Sequence, residues 1–273
     1  MKRTILSATV ALAVVTTGLL AQPRPKSQEE LEALKLMFGA TTADARIAAA
    51  DNVLTKFPDT QFKATALYLE GMSYEQKGDY DHSVVFGERT LAVDPKHYQA
   101  MLMLAMEIAQ HTREFDLDKA QKLAQVDKYA HGALELLKDA PKLNPALTDE
   151  QWEAGKKDMG SEAYTALGMA AYADKKYDVA EREFKTALDS AAQPDPSNWV
   201  RLGKCYSDEG KYDEAIAQFD KVMAMQNINP TIHQIAQAER VRAFQKKNGA
   251  NPAAPAATPQ APKPATPPTP PQQ

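Results

Sequence analysis

Apolar residues recur along this chain at the three- and four-residue spacing of helices, with short polar, glycine- or proline-containing breaks between the runs. Gln28 to Phe38 and Ala43 to Phe57 read as a helix pair closed by Pro58. Leu117 to Lys138 is one amphipathic run, broken by the two prolines of Asp139-Ala-Pro-Lys-Leu-Asn-Pro145. Thr148 with Gln151 three residues later reads as a capping box that opens a helix through Trp152. Helix signal continues into Tyr164, weakened by Gly155 and Gly160. Together these stretches predict a long central helical hairpin that projects beyond its neighbours. Thr231 to Lys247, after Pro230, is a further helix with Ile232, Ile235, Ala236, Val241 and Phe244 apolar and Glu239, Arg240, Arg242, Lys246 and Lys247 on its outer face. The fold class expected is all-α.

A repeat lies within this pattern. Trp199-Val-Arg-Leu202-Gly203-Lys-Cys-Tyr206, followed by Tyr212, Ala215 and Phe219, resembles the tetratricopeptide (TPR) unit, a helix–turn–helix of about 34 residues carrying W-x₂-L-G-x₂-Y and then A-x₃-F. A second copy centres on Gly168, with Tyr164, Leu167, Tyr177, Ala180, Phe184 and Ala187 around it, and a third on Gly71, with Leu67, Tyr74, Gly78, Tyr80 and Pro95. The faintest centres on Ala105, with Leu104 before it, Ala120 and Ala124 in its second helix, and a turn lengthened by about three residues around Phe115 to Leu117. The small residue at this point suits a place where the two helices of a repeat cross. Phe57-Pro58-Asp59-Thr60, then Ala66-Leu67-Tyr68, resembles the repeats of envelope TPR proteins, including the lipoprotein subunit of the β-barrel assembly machinery.

The resemblance covers Ala43 to about Lys247 and implies a TPR-type α-solenoid of antiparallel helix pairs, with the long central hairpin and a polar C-terminal capping helix. The organisation expected is a signal peptide (1–21), an N-terminal segment with one helix (22–42), the solenoid (43–248) and a Pro/Ala/Thr-rich tail expected to be disordered (249–273). Within the solenoid the repeats fall at about 64–97, 98–131 (extended), 161–194 and 196–229, and the capping helix at 231–247. Gly71, Ala105, Gly168, Trp199, Leu202, Gly203, Tyr206, Ala215 and Phe219 are the structural positions of the repeat.

The resemblance also implies a binding groove. In TPR proteins the first helix of each repeat lines a concave face, with four side chains per repeat pointing into it. Carried over residue by residue, these are Thr65, Tyr68, Met72 and Glu75; Gln99, Leu102, Met106 and Ala109; Glu162, Thr165, Met169 and Tyr172; and Ser197, Val200, Lys204 and Ser207. Met72, Met106 and Met169 share one repeat position. Methionine is flexible and polarisable, so such a stripe suits either varied apolar partners or the filling of gaps between first helices. Tyr68 and Met72 stand where a carboxylate clamp of the co-chaperone kind would need Lys and Asn, so an apolar or mixed peptide, or a folded protein, is the expected occupant.

Composition narrows the function class. Lys2 and Arg3 followed by the uncharged, mainly apolar Ile5 to Leu20 and a small residue at Ala21 read as a secretory signal, and no cysteine lies nearby to carry a lipid. Thr4, Ser7, Thr9, Thr16, Thr17 and Gly18 make that stretch a poor permanent membrane span. Residues 249–273 contain Pro264-Ala-Thr-Pro267 and Pro268-Thr-Pro-Pro271, which fit P-x-x-P as well as they fit a solvated spacer. The net charge of −4 argues against nucleic acid as the main partner. The single Cys205 allows no intrachain disulfide, and its repeat position suits an inert thiol better than a nucleophile. His82, His97, His111, His131 and His233 show no zinc-binding spacing, and no nucleotide or hydrolase motif occurs. No cofactor, metal or catalytic residue is expected. The expected function is a non-catalytic periplasmic scaffold binding a protein or peptide in the groove, with an envelope complex as one setting for it. One alternative is a spacer whose tail or hairpin makes the contacts; another is a subunit of an outer-membrane assembly or secretion machine.

Overall fold

The computed structural model describes residues 23–142 and 144–249, so the expected signal segment and almost all of the tail lie outside the described residues. Eleven helices are present among the described residues: α1 (Gln28–Gly39), α2 (Ala43–Lys56), α3 (Lys63–Lys77), α4 (Tyr80–Val93), α5 (Tyr98–His111), α6 (Lys119–Lys138), α7 (Asp149–Ala173), α8 (Tyr177–Ser190), α9 (Pro196–Asp208), α10 (Tyr212–Ala224) and α11 (Pro230–Lys247). Each odd-numbered helix from α1 to α9 packs on the helix after it, and each even-numbered helix packs on the next pair. The product is an all-helical solenoid of five pairs closed by α11. The first pair is α1 with α2, so the boundary drawn at residue 43 from the sequence falls between two helices that pack together.

Local chemistry sets the helix ends. Thr148 Oγ1 accepts from the Gln151 N–H at 3.2 Å while Gln151 Oε1 accepts from the Thr148 N–H at 2.9 Å, which is the reciprocal capping box expected at α7. α9 and α11 start with a proline after an Asp195 or Asn229 cap. The turn inside a repeat has one residue at positive φ: Gly78 (73°), Lys175 (60°) and Gly210 (80°). The following amide then reaches back to Tyr74, Ala171 or Tyr206 at 2.9 Å.

The core is built where the helices of a pair cross. A Cβ on Gly168 would lie 2.6 Å from the Phe184 ring, and one on Gly203 would lie 2.5 Å from the Phe219 ring. Both phenylalanines are fully buried, so each repeat plugs its own crossing with an aromatic ring laid against a bare backbone. In the Gly71 repeat the matching residue of α4 is Gly87, and Met103 of the next repeat fills the space instead, its Cε 2.8 Å from where a Gly71 Cβ would be.

The second helix of each pair buries three residues at i, i+4 and i+7: Ala180, Phe184 and Ala187 in α8, and Ala215, Phe219 and Val222 in α10. In α4 these are Ser83, Gly87 and Thr90, and in α2 Arg46, Ala50 and Val53. In α6 they are Val126, Ala130 and Ala133, not Ala120 and Ala124, which are exposed. Val126 follows Ala105 by 21 residues, where Ser83 follows Gly71 by 12, so the insertion in this repeat is longer than the three residues read from sequence.

The central hairpin has another origin: α7 starts 19 residues before Gly168, where α9 starts 7 before Gly203. α6 and α7 are the ordinary helices of adjacent repeats, prolonged past them and joined through residues 139–148. Trp152 Nε1 donates to the Ala140 carbonyl at 3.3 Å, and Leu134 lies against Gly160, so the prolonged ends pack on each other. α11 departs from the polar cap expected. It buries Ile232, Ala236 and Ala243 but leaves Ile235, Val241 and Phe244 about half exposed (45%, 47% and 55%). At about 100° per residue, positions 241 and 244 point away from the face that holds 236 and 243.

Candidate functional site: a cleft between first helices

An open cleft of about 450 Å³ lies between the C-terminal ends of α5, α7 and α9. Met169 and Tyr172 of α7 form one wall, Lys204 and Asp208 of α9 another, and Gln110 of α5 and Glu114 just after it a third. Each reaches the cleft because it sits on the inner face of a first helix, or at the turn that ends one. Tyr172 is the hub. Its hydroxyl donates to Asp208 Oδ2, its ring lies 5.6 Å from that of Tyr177, and the Lys204 ammonium stands 5.9 Å from its ring centre. Burial, with the Asp208 carboxylate next, pushes the Tyr172 phenol well above its ordinary range, so it stays a protonated donor. Asp208 also faces Lys246 of α11 at 3.4 Å. Among the described residues no carboxylate pairs with Lys204.

Beneath the cleft a polar ladder fixes α7 to its neighbours. Ser161 Oγ donates to the Ala187 carbonyl at 2.7 Å, Thr165 Oγ1 donates to the Ser161 carbonyl at 2.8 Å, and Asn198 Nδ2 donates to Thr165 Oγ1 at 2.8 Å. Asn198 Oδ1 in turn accepts from Arg201 Nη1 at 3.0 Å, with Asp195 3.7 Å from the same guanidinium nitrogen. Asn198 is 1% exposed, so leaving its amide unpaired would carry a full desolvation cost.

The groove residues expected from sequence separate into three sets. Met169, Tyr172 and Lys204 line the cleft together. Tyr68, Met72 and Met106 are half-buried away from it; Tyr68 packs its ring on His97 at 4.8 Å, and Met106 packs on the core. Leu102, Thr165 and Ser207 are corrected by the structure: at 3%, 4% and 8% exposure they offer no accessible surface. Leu102 is taken by the core under the close α5–α7 packing and Thr165 by the ladder, and Ser207 is buried on α9. Val200 and Ala109 are buried as well. The methionines therefore form no continuous exposed stripe. Sequence reasoning missed Asp208, Glu114 and Gln110. Asp208 sits one position beyond Ser207, and the signal that could have found it is the repeat step from the end of α7 to the end of α9, which sets it against Tyr172.

The structural positions lie in the core. Ala105, Leu202, Tyr206, Ala215 and Phe219 are buried with Gly71, Gly168 and Gly203, while Trp199 is half-buried. Cys205 is wholly buried; its thiol donates to the Tyr177 carbonyl at 3.1 Å, and burial pushes it up to about 12. His97 caps α5, its Nδ1 accepting the Ala100 N–H at 3.2 Å, and burial holds its pKa below the ordinary value. Among the described residues no helix is long and apolar enough to cross a membrane, and no group of three His, Cys, Asp or Glu side chains is placed to hold a metal.

Family models of the tetratricopeptide repeat match residues 64–97 and 165–227. The chain carries TPR repeats. Similar solved structures include a thermophilic TPR protein of Thermus thermophilus, 19% identical over 78% of this chain and 99% of that one, with a TM-score of 0.47. A MamA RS-1 double mutant is 17% identical over 72% and 94% of the two chains (TM-score 0.45), and the assembly chaperone of RpL4 is 13% identical over 81% and 98% (TM-score 0.43). No curated protein matches. The cleft belongs to these repeats: Met169 to Tyr177 and Arg201 to Asp208 fall inside the second matched TPR segment, and Gln110 and Glu114 lie in the unmatched stretch between the two segments.

Proposed function

We propose that this chain is a non-catalytic scaffold of the bacterial periplasm that takes a segment of a protein partner into the cleft between α5, α7 and α9. TPR repeats are protein-binding units, and the observation that carries the reading is the pairing of Met169 and Tyr172 with the Lys204 ammonium at one opening. An apolar side chain of the partner meets Met169 and the Tyr172 ring, while a neighbouring carboxylate or carbonyl meets Lys204. Burying one such apolar side chain contributes roughly 1.5–3 kcal/mol before ordering costs. Lys2, Arg3 and the apolar run to Leu20 support export, with Gln22 as the new N-terminus.

Titration of arrayed peptides bearing an aliphatic or aromatic residue beside Asp or Glu tests the cleft. Met169→Glu and Lys204→Glu are each expected to weaken binding by about tenfold or more. A chain ending at Asn248 is expected to bind as the full chain does, and loss of binding in that chain would instead favour contacts made by the tail. Binding untouched by both substitutions would overturn the proposal for the cleft. Recovery of the protein from the periplasmic fraction with Met1 still in place would overturn cleavage after Ala21.

A further inference from the structure

Just before the small residue at the helix crossing, three repeats carry a leucine: Leu104, Leu167 and Leu202. The Gly71 repeat carries Glu70 there. The Glu70 side chain is wholly buried, and among the described residues neither of its oxygens meets a hydrogen-bond donor. An ionised carboxylate in that place would bear a desolvation cost with nothing to offset it. The rest of the same interface is well matched. Ala66 of α3 packs with Ala50 and Val53 of α2, Arg46 of α2 donates to Ser73 Oγ at 3.3 Å and to Gln76 Oε1 at 3.4 Å, and Lys77 pairs with Asp44 at 2.5 Å.

From α2, Asp51 stands within hydrogen-bonding reach of Glu70. Two carboxylates have no donor between them, so this contact closes only when one carries a proton. From α4, Arg89 gives a weaker opposing attraction, its guanidinium lying 4.7 Å from the centre of the Phe86 ring. Along α3 itself the next titratable neighbour is Tyr74, whose ring stacks on His82 of α4 at 4.7 Å. α5 meets this stretch of α3 with the uncharged Met103. Burial first, and Asp51 second, hold the Glu70 carboxyl up at about 8, so it keeps its proton at neutral pH. The place of this contact in the stack gives it leverage. The α1–α2 pair is joined to the solenoid through α3, whereas each later pair is held on two sides.

We propose that Glu70 and Asp51 form a proton-operated latch: Glu70 donates a shared proton to Asp51 while the α1–α2 pair is docked, and loss of that proton releases the pair from α3. The latch is separate from the cleft and does not rest on what the cleft binds. Hydrogen-exchange mass spectrometry of the full chain at about pH 6 and about pH 9 tests it, each rate being corrected for the pH dependence of free amide exchange. The amides of α1 and α2 are expected to lose about tenfold or more of their protection at the higher pH, while those of α8 to α10 keep theirs. Glu70→Leu, which installs the residue of the other repeats, should hold the protection of α1 and α2 at both pH values. Glu70→Gln, which offers Asp51 an amide donor, should do the same. Carbon-13 NMR of the Glu70 side-chain carboxyl in the unaltered chain should show it protonated at the lower pH and ionised at the higher. Equal loss of protection along the whole stack, no loss in α1 and α2, or a Glu70 carboxyl already ionised at the lower pH would overturn the proposal. So would a Glu70→Leu chain that opens as the unaltered chain does.

Discussion

The Gly203 and Gly71 repeats share one backbone plan and close it in different ways. Gly203 meets the Phe219 ring of its own repeat, as Gly168 meets Phe184. Gly71 meets Gly87, and the gap is filled by Met103 from the next repeat. The two regions differ in polarity too. Among the described residues the buried charged side chains, Glu30, Arg46, Glu70 and Glu107, all lie in α1 to α5. A repeat that plugs its own crossing carries its signature in its own residues. One plugged by its neighbour draws part of its core from the stack, as solenoid packing allows.

Removing the plugs should cost the most stability. Phe219→Ala should cost about 3–5 kcal/mol and Met103→Ala roughly 2–4 kcal/mol in urea unfolding, because each leaves a cavity at a helix crossing. If Met103→Ala cost nothing, the borrowed plug would be wrong. Next comes the buried carboxylate of the N-terminal region. Burial and the nearby Asp51 push Glu70 up from 4.5 to about 8. The folded state therefore holds this proton more tightly than the unfolded chain. Its contribution is full below about pH 4.5 and is lost as pH rises towards about 8. Glu70→Gln should flatten that decline in thermal melts at a series of pH values.

The glycines give a finer contrast. Gly203→Ala forces its Cβ into an aromatic ring and should cost about 1–3 kcal/mol. Gly71→Ala meets the flexible end of Met103, and the better helix propensity of alanine offsets the crowding to within about 1 kcal/mol. The smallest effect expected is at Lys175, which holds the positive φ that glycine holds at the equivalent Gly78 and Gly210. Lys175→Gly should stabilise the protein by about 0.5–1 kcal/mol, less whatever its exposed pair with Glu114 contributes. A loss instead would mean that this pair matters more than the strained backbone.

Much of the fold could be read from the chain because it lies in local pattern. The Thr148–Gln151 capping box, Pro230, and the Gly168–Phe184 and Gly203–Phe219 spacings are visible in sequence and are met in the structure. The Ala105 repeat misled, because an insertion displaces its buried triplet to Val126, Ala130 and Ala133 and no local mark says by how much. The α1–α2 pair was visible as helices but not as a full unit of the stack, since Leu34 and Arg46 stand where small residues are usual. The site was less legible still. Repeat position predicts which side of a helix faces the groove, but not where adjacent first helices close up and bury Leu102, nor where they part and open onto Tyr172. Those distances depend on packing between repeats, which no single repeat encodes.

The most direct test of where the chain binds is an amide chemical-shift map of the protein saturated with a peptide that pairs an apolar residue with a carboxylate. The account predicts that the shifted residues cluster at Gln110, Met169, Tyr172, Lys204 and Asp208. A response centred on Tyr68 and Met72 instead, with that cluster unmoved, would contradict it.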